Sequence, residues 1–287
     1  MLRGFFYFKP MLKTHPRLDT SRPRLMAIMN ATPDSFSDGG LLYHHQAIDL
    51  DKVARRIQLL VDEGADILDI GGESTRPGAA PVSVQEELDR VIPIIEYAAR
   101  ETDLAISVDT SSAEVMRQAA ASGAHLINDV RALSREGALQ AAVDTQLPVC
   151  LMHMQGAPND MQDNPQYAHV VTEVSMFLQH KITACLEAGI PAGHLCIDPG
   201  FGFGKTLEHN LALLKGLPEV ASLGFPVVVG LSRKSMIGHL LQREVDQRLP
   251  ASLALGLMAL ERGANILRVH DVAATRDMMD VFSAINE

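Results

Sequence analysis

Residues 25–40 read LMAIMNATPDSFSDGG and join two segments of opposite character. The apolar run at 25–29 predicts a strand that is buried on both faces. The segment at 30–40 is mostly polar and contains a single aromatic side chain, Phe36. Connections between elements are usually shorter than this. The segment therefore indicates either a disordered insertion or a functional lid, and Phe36 favours a lid that closes on a ligand.

The same alternation of apolar runs and helical periodicity continues to the end of the chain. The predicted strands cover residues 25–29, 66–70, 104–108, 125–127, 148–152, 194–197, 225–229 and 265–269. The predicted helices cover residues 47–63, 83–100, 112–123, 135–143, 170–187, 210–214, 251–262 and 273–285.

These strands are apolar rather than alternating, which is typical of a parallel sheet covered by helices. Eight strand–helix alternations in 287 residues predict an α/β fold, a (β/α)₈ TIM barrel in a single domain. We expect this domain to span residues 24–287 and residues 1–23 to form an N-terminal arm.

Composition narrows the class of protein. The formal net charge is −10, which disfavours nucleic acid and anionic membranes as partners. No apolar run approaches the 18 or so residues of a membrane span. The three cysteines form no CxxC motif, which indicates reduced thiols and a cytoplasmic protein.

Nearly every predicted strand ends in a polar or charged residue, and in such a barrel these ends surround one site. Carboxylate and amide groups at Asp109, Asn128 and Asp198 suit a heterocycle that is rich in N–H donors. The cationic groups there suit a phosphate or pyrophosphate. They are Arg76, Arg233, Lys234, Arg268 and His270. The alternative, which the sequence leaves open, is that these acids and cations pair with one another.

The segment GFGFGKT at 200–206 resembles a phosphate-binding loop. A Walker A motif requires glycine six residues before its lysine, and Pro199 occupies that position. We therefore exclude a nucleoside triphosphatase. The glycines instead favour close approach of the backbone to a flat ligand, with Phe203 as a stacking surface. The histidines form no HExxH or other dense metal-binding motif.

Taken together, the strand-end motifs resemble those of the dihydropteroate synthases from about residue 24 to the C-terminus. In order, the motifs are NATPDSFSDGG (30–40), GGESTRPG (71–78), SVDT (107–110), INDVRAL (127–133), LMHMQG (151–156), DPGFGFGK (198–205), GLSRKSMIG (230–238) and RVHDV (268–272). Each motif alone is weak, whereas eight of them in this order are specific.

That family condenses 6-hydroxymethyl-7,8-dihydropterin pyrophosphate with para-aminobenzoate, and releases pyrophosphate. The resemblance implies that the pterin edge is held by Asp109, Asn128, Asp198 and Lys234, and its faces by Val130, Met152 and Phe203. It implies a pyrophosphate site at Asn30, Arg268 and His270, with Asn30 also a ligand of Mg²⁺, which prefers oxygen and is often shared with substrate phosphates. It implies an aminobenzoate pocket at Thr75, Arg76, Pro77 and Ser235, under a lid that contains Phe36 and Asp38.

The resemblance also implies how the reaction proceeds. We expect a dissociative departure of pyrophosphate without a covalent nucleophile, and the catalytic residues to be Asn30, Lys234, Arg268 and His270. Lids at 30–40 and 76–81 would exclude water. The resemblance further implies a homodimer, with an interface on the helix near 251–260 or on the last helix.

Two rival functions share the pterin carboxylates. One is a barrel that transfers methyl groups from methyltetrahydrofolate to a corrinoid, and SRKS at 232–235 with RVH at 268–270 favours the synthase over it. The other is a catalytically silent pterin-binding homologue, which should lack either the lid or the pyrophosphate cations.

Overall fold

The computed structural model describes residues 12–32, 42–44, 47–74, 82–157 and 160–286. Phe36 and Asp38 of the predicted lid, and Thr75, Arg76 and Pro77 of the predicted aminobenzoate pocket, lie outside these ranges.

Eight parallel strands form one sheet, which confirms the predicted barrel. They are β1 Arg24–Asn30, β2 Ile67–Gly71, β3 Ala105–Asp109, β4 Leu126–Asp129, β5 Val149–Met152, β6 Leu195–Asp198, β7 Val228–Val229 and β8 Ile266–Val269. Their spatial order is β6-β5-β4-β3-β2-β1-β8-β7. The two edges meet through a parallel bridge between Ile197 and Val227, where Ile197 N donates to Pro226 O at 2.9 Å. The sheet therefore closes on itself at a short seam.

Helices surround the sheet in the described part of the chain. They are α1 Leu50–Asp62, α2 Val84–Glu101, α3 Ala113–Ala121, α4 Ala138–Thr145, α5 Val170–Glu187, α6 Leu207–Lys215, α7 Leu217–Ala221, α8 Ser235–Leu241, α9 Leu249–Glu261 and α10 Val272–Asn286. The sequence analysis did not predict α7 and α8, because elements of five and seven residues are too short to show a helical period.

The first helix begins later than the sequence predicts. Ala47–Ile48 pairs antiparallel with Tyr43–His44, so this part of the predicted helix is a small hairpin. Asp49 then caps α1, because its side chain accepts hydrogen bonds from two backbone N–H groups of the first turn, at 3.1 and 3.2 Å. The helix therefore begins at Leu50, directly after this cap, and not at Ala47 as the periodicity predicts.

The core has two layers. An aliphatic layer packs between the sheet and the helices, and a second cluster fills the interior of the barrel. The inner cluster contains Met26, Ile67, Ala105, Leu126, Cys150, Cys196, Val228 and Ile266, together with Leu12 and Leu18. Leu12 and Leu18 are fully buried, so residues 12–23 close the base of the barrel.

The inner cluster also determines what lies above it. Side chains alternate across a strand, so a residue two positions beyond an inward residue also points inward. This rule places polar residues above the apolar layer at the carboxyl ends of the strands. They are Asp69 above Ile67, Asn128 above Leu126, Asp198 above Cys196 and Arg268 above Ile266.

Candidate active site

Arg268 is the centre of the polar layer. Its Nε donates to Asp69 Oδ2 at 2.6 Å, and its Nη2 donates to Asp109 Oδ2 at 2.9 Å. Asp69 also accepts a hydrogen bond from Asn128 Nδ2 at 3.2 Å. Two of the predicted pterin residues are therefore linked to a predicted pyrophosphate residue through ion pairs and hydrogen bonds. The pairing of acids with cations, which the sequence left open, is present at Arg268.

Burial dominates the protonation chemistry of this layer. Desolvation raises the pKa of Asp109 to about 7, although the Arg268 guanidinium opposes that shift. Burial by itself would lower the pKa of Arg268, but Asp69 and Asp109 outweigh it and raise the pKa. Burial also raises the pKa of Asp198, against the hydrogen bond from Gly200 N at 2.7 Å and the nearby Lys234. The protonation state of these groups thus depends on a balance between burial and the attraction of neighbouring opposite charges.

Asp69 is a site residue that the strand-end pattern does not predict. It lies inside the apolar run ILDIG, has no exposed surface, and holds both Arg268 and Asn128. The pattern selects residues at strand ends, whereas Asp69 lies two residues before the end of its strand. The usable signal was an acidic residue at an inward position of a strand that is otherwise apolar.

The loop after β6 presents Asp198 and Phe203 to the site. Gly200 has a φ of +71°, and a Cβ at this position would lie 1.8 Å from the carbonyl oxygen of His153, so only glycine fits. The ring of Phe203 lies 4.2 Å from Lys234 Nζ, which is a cation–π contact. Burial and the nearby Arg268 lower the pKa of Lys234 to about 8. Lys234 and Phe203 therefore lie close together, as the predicted pterin site requires.

Lys205 is a second residue whose role the sequence did not predict. It holds this loop through hydrogen bonds to the loop's backbone. The ammonium is buried and has three partners, His153 Nδ1 at 2.9 Å, Gly200 O at 2.9 Å and Phe203 O at 3.0 Å. An ammonium has three N–H donors, so this set satisfies it. Burial lowers the pKa of Lys205 to about 7 and that of His153 to about 3. A neutral His153 can accept from the lysine, and Lys205 thereby positions the backbone that carries Phe203.

We expect Lys205→Met to lower the free energy of unfolding by about 2 kcal/mol at pH 7, because buried carbonyl and imidazole acceptors lose their donor. The pKa of Lys205 is lower in the folded than in the unfolded protein, so the folded state binds fewer protons above pH 7. The contribution of Lys205 to stability therefore rises from pH 7 to pH 9. Denaturant unfolding at both values measures the difference between wild type and variant.

The control for that experiment is Lys181→Met. Lys181 contacts Ser134 and the ring of Phe177 near the surface. Its removal should cost little and should not change with pH. A difference between wild type and Lys205→Met that stays constant from pH 7 to pH 9 would contradict a buried, titrating Lys205.

Two of the predicted cations are not available as free positive charges in the structure, because one is ion-paired and the other is neutral. Arg233 forms an ion pair with Asp271, in which its Nε lies 2.9 Å from Oδ2. His270 is close to Ser232, whose Oγ accepts from His270 N at 3.2 Å. Burial, followed by Arg268 and Arg233, lowers the pKa of His270 to about 3. His270 is therefore a neutral hydrogen-bonding group here and not the cation that the sequence suggested.

The remaining predicted residues that the structure describes lie at or after the carboxyl ends of strands. Val130 and Met152 are buried, at 5% and 3% exposure. Asn30 ends β1 and is paired in register with Gly71, while Ser235 begins α8. Within the described ranges, no group of three or more His, Cys, Asp or Glu side chains is placed to hold a metal ion. Asn30 as a metal ligand stays a prediction.

Comparison with known proteins identifies the class. Residues 26–270 match the family model described as pterin binding enzyme, and the chain belongs to that family. The dihydropteroate synthase of Haemophilus influenzae is 54% identical over 267 residues, which cover 93% of this chain and 95% of that protein. The family and the class of relatives thus agree with the resemblance drawn from the strand-end motifs.

Solved structures give the same result. A Yersinia pestis dihydropteroate synthase in a sulfonamide drug complex has a TM-score of 0.90 and 51% identity, covering 94% of this chain and 96% of that one. A Xanthomonas albilineans dihydropteroate synthase with 4-aminobenzoic acid has a TM-score of 0.88 and 52% identity, covering 97% and 98%. The same enzyme in complex with 7,8-dihydropteroate has a TM-score of 0.84 and 49% identity, covering 96% and 99%.

No helix in the described part of the chain is both long and apolar enough to cross a membrane.

Proposed function

We propose that the chain is a transferase of folate biosynthesis with dihydropteroate synthase activity. It condenses 6-hydroxymethyl-7,8-dihydropterin pyrophosphate with para-aminobenzoate to give 7,8-dihydropteroate and pyrophosphate. The observation that carries this proposal is the 54% identity to a dihydropteroate synthase over nearly the whole chain. The buried acceptors at the barrel mouth supply the chemistry that a pterin requires.

The pterin edge binds to Asp109, Asn128 and Asp198. These groups lie at inward positions of β3, β4 and β6, and carboxylates accept strongly from paired N–H donors. Lys234 contributes a further donor, and the ring is bounded by Val130, Met152 and Phe203. In the structure Arg268 already occupies one oxygen of Asp109. The pterin donors replace that contact, and Arg268 becomes free to face the pyrophosphate.

The pyrophosphate binds to Asn30, Arg268 and His270. A neutral His270 donates one hydrogen bond, and an anion beside it raises its pKa and favours the charged imidazolium. Binding of pyrophosphate thus favours the positively charged form of His270, which in turn strengthens the binding. This supports the assignment of His270 even though the imidazole is neutral in the structure.

Mg²⁺ fits this site through Asn30. Within the described ranges, no three acidic, histidine or cysteine side chains are grouped to hold a metal ion. Mg²⁺ commonly keeps several waters and binds through substrate phosphates plus one or two protein oxygens. When bound, it supplies positive charge to the departing pyrophosphate.

The chemistry is a substitution at the methylene carbon next to the pterin ring. The bond from this carbon to the pyrophosphate oxygen breaks, and the amine nitrogen of aminobenzoate forms a new bond there and loses a proton to solvent. Asn30, Arg268 and His270 stabilise the charge on pyrophosphate, while Lys234 orients the pterin ring. No side chain acts as a covalent nucleophile.

Aminobenzoate binds beside Ser235, in a pocket completed by Thr75, Arg76 and Pro77. A lid with Phe36 and Asp38 covers it, and the second lid spans residues 76–81. Both exclude the water that would otherwise capture the cationic carbon. Ser235 is the member of this set that the structure describes, at the start of α8 beside Lys234.

The organisation of the molecule is part of the proposal. Residues 24–287 form the catalytic domain and residues 1–23 the arm, of which Leu12 and Leu18 reach into the base of the barrel. Exposed apolar side chains on α9 and α10, Met258, Val281 and Ile285, support a homodimer through these helices. Three buried cysteines without disulfides support a cytoplasmic location.

A pyrophosphate-release assay tests the activity. With both substrates and Mg²⁺ present, we expect release that depends on each of the three, and light scattering should give the mass of a dimer. Release that needs pterin pyrophosphate but not aminobenzoate would contradict the synthase. No release with all three present would favour the catalytically silent homologue, and methyl transfer from methyltetrahydrofolate would favour the corrinoid-linked rival.

A further inference from the structure

The base of the barrel, on the face opposite the active site, contains an unusual group of charges. Asp66 precedes β2 and is 2% exposed. Four arginine side chains have a nitrogen within 4 Å of its carboxylate. They are Arg17, Arg22, Arg24 and Arg276.

The carboxylate of Asp66 is already occupied. Its Oδ2 accepts from Leu25 N at 3.0 Å and from Arg276 Nη2 at 2.6 Å. Its Oδ1 accepts from Arg24 Nη1 at 3.3 Å. Arg24 and Arg276 are therefore the partners that hold Asp66, and they also donate to backbone carbonyls nearby. This inner part of the group is complete by itself.

Arg17 and Arg22 form an outer pair. Their nitrogens lie 3.9 and 3.8 Å from the same oxygen of Asp66, which is too far for a hydrogen bond. Their side chains are 44% and 61% exposed. Among the described residues, no other carboxylate lies within 4 Å of either guanidinium. Two largely exposed arginine side chains thus converge on one buried carboxylate oxygen without a hydrogen bond to it.

The local charge does not balance. Asp280 lies 3.6 Å from Arg276 and is the second carboxylate in contact with the group. Four arginines therefore contact two carboxylates, and the Asp19 carboxylate acts on Arg24 from beyond ion-pair contact, in a chain whose net charge is −10. A surplus of positive charge at one place in an acidic protein calls for an external anion.

We propose that Arg17 and Arg22, backed by Arg24, form a binding site for a small multiply charged oxyanion of the phosphate class. The planar guanidinium fork matches two oxygens of a phosphoryl group, and two adjacent forks match a dianion. Arg17 and Arg22 belong to the segment that carries Leu12 and Leu18 into the barrel. The bound anion therefore fastens this segment to the base of the barrel and stabilises the fold. This site is independent of the proposed catalytic function.

Thermal unfolding of the full chain tests the site, in inorganic phosphate against potassium chloride at equal ionic strength. A further arm with a nucleoside monophosphate distinguishes free phosphate from a phosphoryl group on a nucleotide. At ten times the dissociation constant, we expect phosphate to raise the midpoint of wild type by about 3 °C through this site. The double variant Arg17→Gln/Arg22→Gln should lose that increment. Both side chains are exposed and lack a hydrogen bond to Asp66, so the variant should fold.

The matched control is Arg100→Gln/Arg117→Gln, which removes the same charge from two exposed pairs elsewhere. Phosphate that binds in the active site raises the midpoint equally in all three proteins, so the difference between the double variants reports the base site. Equal phosphate-dependent increments in both variants would overturn the proposal. So would an equal midpoint of wild type in phosphate and in chloride.

A local probe gives a second measurement. His15 Nδ1 accepts from Arg17 N at 3.1 Å, and its ring lies 4.4 Å from that of His125. The ring signals of His15, assigned with His15→Gln, should shift saturably with phosphate in wild type and not in Arg17→Gln/Arg22→Gln. A His15 signal that ignores phosphate in wild type would contradict binding at this site.

Discussion

Replacing Arg268 by methionine is expected to lower the free energy of unfolding by about 3 kcal/mol at pH 7, which is typical when one partner of a buried ion pair is removed. The reason is that Arg268 bridges Asp69 and Asp109, whose side chains are 0% and 11% exposed, and both carboxylates lose this partner. The control is Arg117→Met, which removes an exposed pair with Asp144 and should have little effect on stability. Denaturant unfolding of both variants measures the contrast.

The sign of the pH dependence follows from Asp109. Its pKa in the folded protein is already raised to about 7, and removal of Arg268 raises it further. A carboxyl group with a raised pKa contributes stability at low pH and loses it as the pH rises. The deficit of Arg268→Met should therefore shrink from pH 8 to pH 5. A deficit that grows over this range would contradict the bridge.

The same variant should lose affinity for the pterin pyrophosphate and retain affinity for aminobenzoate. Calorimetry with each ligand separates these effects, provided that binding is measured below the unfolding midpoint. Loss of aminobenzoate binding alone would show that the division of the site is wrong.

Asp198→Ala is expected to weaken pterin binding by about 100-fold, because donors of a buried heterocycle lose a charged acceptor. Asp198 is 6% exposed and also accepts from Gly200 N at 2.7 Å, so alanine disturbs the loop as well as the ligand. Asp198→Asn separates the two effects. Its carbonyl oxygen can still accept from Gly200, while its NH₂ group opposes the ligand donors. Both variants should therefore bind a pterin weakly in calorimetry.

Unchanged pterin affinity in Asp198→Ala would remove Asp198 from the pterin site. Affinity that falls in Asp198→Ala and is normal in Asp198→Asn would assign the effect to the loop and not to the carboxylate. Lys205→Met provides the comparison, because it perturbs the same loop and leaves the carboxylate in place.

The sequence predicted the barrel because strand–helix alternation is a local signal that recurs eight times. It also located the inward ends of the strands, where Asp109, Asn128, Asp198 and Arg268 lie. It missed Asp69 and Lys205 because their roles depend on partners far away in the chain. Arg268 is 199 residues from Asp69, and His153 is 52 residues from Lys205. Such contacts exist only after the barrel has closed.

His270 illustrates a different limit. The residue type and its place at a strand end are visible in the sequence, whereas its charge depends on burial and on two neighbouring arginines. The same is true of Arg233. Asp271 can be read in the sequence, but its ion pair with Arg233 depends on the folded structure. Sequence patterns identify titratable groups, and folded surroundings decide their protonation.

The pairing of β1 with β8 has a consequence for folding. Leu25 is in register with Leu267, so one edge of the first strand stays unpaired until the last strand is added. Arg268 follows Leu267 on that last strand. Until β8 is in place, Asp69 and Asp109 lack their cation and the sheet has two open edges, which are sites of misassembly. Docking of β8 therefore closes the barrel and neutralises its polar layer in one event.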